Sequence, residues 1–104
     1  MTDIRADEIR TALRAVIDPE LGYNIVDLGF IYDIVVVGRA ACITMTTTVP
    51  GCPAARFLKE GVVSSAARVP GIASVDVVMT FEPRWTPARI DPAIRRELGF
   101  AAVN

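Results

Sequence analysis

The sequence predicts an α+β fold, a two-layer sandwich in which helices pack on a small three-stranded mixed β-sheet. Three observations lead there. Residues near the start and in the middle of the chain repeat apolar side chains at helical spacing, whereas FIYDIVVV, rich in aromatic and β-branched residues, and AACITMTTT flank Gly38-Arg39 as a hairpin would. A helical segment then separates the second strand from a third, and a right-handed crossover of that kind makes those two strands parallel. Helices on one face of such a sheet give two layers.

The first helix is expected from about Ile4 to Ile17, where Ile9, Ala12, Leu13, Val16 and Ile17 form one apolar face among charged residues. Asp18-Pro19 ends it, because the residue before proline is pushed out of the helical region. The stretch DPELGYNIVDLGF mixes Gly22, Asn24 and Gly29 with Leu21, Ile25, Val26 and Leu28, and reads as an ordered loop with buried apolar anchors.

Residues 30–37 and 41–48 are the expected hairpin strands. In the second of them Ala41, Ile43 and Met45 face the core, while Cys42, Thr44, Thr46 and Thr48 share a polar face. The next helix starts near Cys52 and ends at Pro70-Gly71, with Ala55, Leu58, Val62, Ala66 and Val69 on its buried side. In ASVDVVMTF, Val75, Val77, Met79 and Phe81 alternate with Ser74, Asp76, Val78 and Thr80 as a third strand. Thr86-Pro87 and Asp91-Pro92 each place a capping side chain before a proline, and a short last helix ends near Gly99.

Composition narrows the function. The 104 residues, 52% hydrophobic and 22% charged, suit one domain spanning residues 1–104. Eleven basic residues, all but Lys59 arginine, are scattered among twelve acids for a net charge of −1, so a nucleic-acid partner is not expected. No apolar run approaches the ~20 residues of a membrane span, and MTDIRADEIR lacks the features of a leader, which points to the cytoplasm. Two cysteines and no histidine fit reduced thiols and exclude Cys-His and Ser-His catalysis within one subunit.

Cys52, in PGCPAARFL, admits two readings. At a helix N-cap with Pro53 following, its sulfur would face unpaired amides and the positive end of the helix dipole, which favours a thiolate able to react or bind a soft metal. Alternatively it is a small apolar residue filling a tight bend. Cys42, in mid-strand, is expected to be packed. Asp18 is expected to form a turn with nearby amides, and Asp27 and Asp33 to find partners or stay at the surface. The Thr46–Thr48 run suits a strand, and its hydroxyls could also reach the Cys52 sulfur. Trp85 is expected to lid the sheet rather than bind a ligand.

Taken together, DPELGYNIVDLGFIYDI, MTTTVPGCPA, VPGIASVDVVMTFEPRWTPARI and the terminal RRELGF resemble the DUF59 family of metal–sulfur cluster biosynthetic proteins with SufT-like and PaaD-like members. The resemblance covers nearly the whole chain. It implies a role in assembling or delivering iron–sulfur clusters, without a turnover reaction of its own. It places the family's motif cysteine at Cys52, where a labile, transient iron or iron–sulfur cluster would bind. The motif acid falls on Asp18, with Thr48 as a third member. The implied partners are iron–sulfur scaffold or carrier proteins and client apoproteins. PaaD-like members carry an added cysteine-rich C-terminal segment that is not found before Asn104, so the SufT-like form is the nearer match. No GxxxxGK[ST] loop is present, so any ATPase would be a separate partner. Alternatives are an interaction adaptor with a structural Cys52, or a helper of a multicomponent phenylacetyl-CoA-type oxygenase. Open sheet edges, and a cluster bridged by one cysteine from each subunit, would both suit a homodimer.

Overall fold

The computed structural model describes residues 4–48, 50, 51 and 53–98. Strands β1 (Ile31–Val37), β2 (Ala40–Met45) and β3 (Ser74–Met79) form one sheet in the order β1-β2-β3. The first pair is antiparallel, with Val35 opposite Cys42, and the second is parallel, with Cys42 opposite Asp76. Gly38-Arg39 closes the hairpin, Gly38 taking a positive φ of 60°. Helix α2 (Ala55–Ala66) makes the crossover between β2 and β3, which is why those strands run the same way. The mixed α+β sheet is the fold expected from the sequence.

Alternation along the strands sends Ala41, Ile43 and Met45 inward, all at most 1% exposed. They meet Ile9 and Leu13 of α1 (Ile4–Leu13) and Leu58, Val62 and Ala66 of α2 in one apolar core. Full burial of a side chain such as Ile43 or Leu58 contributes about 1.5–3 kcal/mol. Helix α2 packs closely against the turn that follows α1 because Gly61 has no side chain: a Cβ there would lie 3.1 Å from Val16 Cγ1.

Both long helices are shorter than the periodicity suggests. After Leu13 the amides of Arg14, Ala15 and Val16 bond to carbonyls three residues back, tightening the helix end. The chain then pairs with its own return, Ile17 bridging to Asn24 and the Ile25 amide donating to Val16 at 3.0 Å. Ile17 is therefore 47% exposed instead of completing the apolar face. At α2 the N-cap is Ala54, in helical conformation with no side-chain cap, so the helix does not begin at Cys52, which lies outside the described residues. After Ala66 two short turns, Val69 to Ala66 and Ile72 to Val69, lead down to β3.

The tail forms a strap across the 24–30 loop. Trp85 Nε1 donates to the Leu28 carbonyl at 2.7 Å, and its ring meets Phe30 edge-on at 5.4 Å and 80°. Trp85 thus lids the core as expected. A single 3₁₀ turn, Pro87–Arg89, brings buried Ile90 down, and the Asp91 amide donates to the Asp27 carbonyl at 2.7 Å. Helix α3 (Pro92–Glu97) follows with Asp91 capping the Ala93 amide at 2.9 Å; the predicted stop at Gly99 lies outside the described residues. Gly29 makes the strap fit. Its φ is +77°, and a Cβ there would run into the Arg89 carbonyl oxygen and lie 2.8 Å from Arg89 Cβ.

Gly29→Ala should therefore combine left-handed strain with a backbone collision and cost about 3 kcal/mol or more, while Gly38→Ala, with open space around it, should cost only about 1–2 kcal/mol of strain. Urea unfolding of both variants checks the difference. At the far end of the strap the Tyr23 hydroxyl donates to Glu97 Oε2 at 2.7 Å, and that hydrogen bond is the main reason its pKa lies above 10.0. The raised value means that the bond supports the fold below the ordinary tyrosine range and that this support is lost as pH rises through the folded value. Glu97→Gln should move the Tyr23 phenol titration, followed by NMR, back down toward the ordinary value.

Candidate functional site

The loop from Asp18 to Phe30 is irregular and buries Asp18, Ile25, Leu28 and Phe30, so the amides it takes out of water need partners. Its own polar side chains supply many of them. Asp18, 3% exposed, accepts the Glu20 amide at 3.1 Å and the Leu21 amide at 2.8 Å on Oδ2. Its backbone adds two more links, its N–H donating to the Tyr23 carbonyl and its carbonyl accepting from Gly22. Six residues on, Asn24 Oδ1 accepts the amides of Val26 and Asp27, and its Nδ2 donates to Asp27 Oδ2 at 2.9 Å. Arg14 pairs with Asp27 Oδ1 at 3.3 Å and ties the loop to the end of α1. Asp18 is thus the turn-former expected from its place before Pro19. Asn24, whose Asn-x-x-Asp spacing is the signal of a second such turn, was not singled out by sequence reasoning.

The threonine run sits just past β2. Thr46 and Thr47 are 0% and 1% exposed, so Thr46 does not lie on a polar face as alternation suggests. The reason is that β2 ends at Met45: the Thr46 amide instead donates to the Phe30 carbonyl at 2.8 Å, carrying the chain inward. Its hydroxyl donates to the Thr47 carbonyl at 3.2 Å. Thr48 is half-buried in the bend that follows.

Cys52 lies outside the described residues. Pro50, Gly51 and Pro53 are exposed and in turns, and α2 starts three residues further on. No side chain caps that helix and no acid stands in its first turn, so nothing from the helix neutralises its positive end.

Cys42 does not match the packed residue expected of it. It is exposed in the middle of β2, between Val35 and Asp76 on the sheet face opposite the helices. Both helices cover the other face, and alternation leaves this one to solvent. Asp33 is likewise exposed, its carboxylate accepting the Ile34 amide at 3.0 Å. Among the described residues no three Cys, Asp or Glu side chains gather as a metal-binding set. No helix among them is long and apolar enough to cross a membrane.

Asp18→Ala should leave two amides without their acceptor and cost about 2 kcal/mol, whereas Asp18→Asn, which keeps an acceptor oxygen, should cost less. Equal urea midpoints for Asp18→Ala and the parent would contradict the loop-forming role.

Residues 6–78 match the model of a family described as "Iron-sulfur cluster assembly protein". A "Fe-S protein maturation auxiliary factor" of Porphyromonas gingivalis is 40% identical over 95 residues, 90% of each chain. The Bacillus subtilis "Fe-S protein maturation auxiliary factor YitW" is 34% identical over 100 residues, covering 95% of this chain and 98% of its own length. Among solved structures, a DUF59 domain from Bacillus anthracis superposes with a TM-score of 0.88 at 35% identity, covering 92% of both chains.

Proposed function

The chain belongs to the iron–sulfur cluster assembly protein family, and from that premise we propose that it is an accessory factor helping to assemble or deliver iron–sulfur clusters to client proteins. The observation that carries this reading is the match itself, which takes in both the Asp18 loop and Cys52. Its support from relatives is consistent, since two that align over nearly their full length are Fe–S maturation factors.

In this reading the Cys52 thiolate takes hold of iron or a cluster as cargo, transiently and with few protein ligands. The uncapped start of α2 supports that role, because it offers amides and a positive dipole end close in sequence to the thiol. Asp18 acts by positioning: it fixes the loop through two amides. Thr48, four residues before Cys52 in the bend after β2, is the third member of the proposed site. The cargo would come from a scaffold or carrier protein and go to apoprotein clients. A homodimer is the proposed assembly, with the outer edges of β1 and β3 as the pairing surfaces.

A second reading, a docking adaptor in which Cys52 is structural, draws on the exposed side of the sheet, where Val35, Val37 and Val78 are 46%, 72% and 49% exposed.

Cys52→Ser decides between the two. Cluster delivery predicts that the variant folds normally but that iron–sulfur enzymes in cells relying on it lose activity to the level of cells without the protein. It also predicts that anaerobic reconstitution with iron and sulfide gives visible absorption in the parent and none in Cys52→Ser. Normal client maturation by the variant would overturn the thiol role and favour the adaptor.

A further inference from the structure

A cleft of about 490 Å³ opens where α1, the 26–32 stretch and the tail strap meet. Its volume lies in the range of small-molecule sites. Two arginines line it, Arg10 from α1 and Arg89 from the 3₁₀ turn, and no acidic side chain does. Nearby Arg14 is paired with Asp27, but among the described residues neither Arg10 nor Arg89 has a carboxylate partner. The cleft is therefore left with two unneutralised guanidinium groups.

Arg89 is held ready. Its backbone rests on Gly29, where a Cβ would collide with it, and its guanidinium lies 4.7 Å from the centre of the Tyr32 ring. Tyr32 is itself fixed, its hydroxyl donating to the Pro83 carbonyl at 2.8 Å. A guanidinium oriented by a ring in this way gives up less freedom on binding an oxyanion than one on a loose side chain. Val26, Ile31 and Pro83 add apolar surface beside the arginines.

We propose that this cleft binds a small organic anion, its carboxylate or phosphate held by Arg10 and Arg89 and its apolar body set against Val26, Ile31 and Pro83. The proposal stands independently of the role given to Cys52. Paired guanidinium groups suit either oxyanion, and the apolar lining selects an organic anion over a bare inorganic one.

The test is calorimetric titration of the full chain at low salt with benzoate, phenyl phosphate and inorganic phosphate. Saturable binding of benzoate or phenyl phosphate, several-fold tighter than inorganic phosphate, is the expected result. The benzoate and phenyl phosphate arms distinguish the two headgroups. Arg10→Ala and Arg89→Ala should each weaken binding about tenfold, as expected for loss of one charge-assisted contact. Arg68→Ala, on a residue that does not line the cleft, should leave it unchanged. Arg10 lies on an exposed helix surface, so its variant remains informative if Arg89→Ala disturbs the strap. The proposal is overturned if neither organic anion saturates, if inorganic phosphate binds as tightly, or if Arg68→Ala weakens binding as much as the cleft variants. It also fails if polyglutamate binds while the small anions do not, which would make the cleft a contact for acidic protein segments.

Discussion

The structure depends on one constraint: a loop of irregular, partly buried backbone between α1 and β1 must satisfy its own amides. Asp18 and Asn24 do this from within, each taking two backbone N–H groups on a side-chain oxygen. An unpaired buried amide costs about as much as a lost hydrogen bond, so four such contacts decide whether the loop has one shape or many. Once the loop is set, its carbonyls at Asp27 and Leu28 face outward as acceptors for the tail. The end of α1, the lid over Phe30 and the placing of Arg89 all follow from that one arrangement.

The sheet has two unlike faces for a related reason. Both long helices come from segments that must return to the same side, α1 leading into the loop before β1 and α2 crossing from β2 to β3. Ala41, Ile43 and Met45 are covered, and Cys42 and Val78, on strands of the same sheet, are not. A two-layer domain of this size leaves half of its sheet to water or to a partner.

Much of the fold was legible in the sequence because it rests on local signals. The hairpin, the buried face of α2, the parallel third strand and the Asp91 cap each follow from period, turn residues or a proline at a helix start. What was not legible depended on partners distant in sequence or on which side of an element is covered. Ile17 has the right spacing for a helix face, but pairing with Asn24 pulls it away. Cys42 alternates correctly onto the polar face, and the packing expected of its thiol fails because no helix covers that side of the sheet. Thr46 looked like strand and is instead turned inward by the Phe30 carbonyl. Of the candidate site, the turn-forming role of Asp18 could be read from Asp-Pro alone. The thiol chemistry of Cys52 could not, since it depends on exposure and charge around the sulfur.

The strap also sets an order of events during synthesis. It joins Trp85 to Leu28 across 57 residues, and its other fixings involve Arg89 and Asp91. The hairpin, α2 and β3 all emerge from the ribosome first and can pair among themselves, since their contacts close within the chain already made. The loop's outward carbonyls must wait. Until the strap from Trp85 onward is released, the nascent protein can form its sheet, α1 and α2 but neither its tryptophan lid nor its arginine-lined cleft.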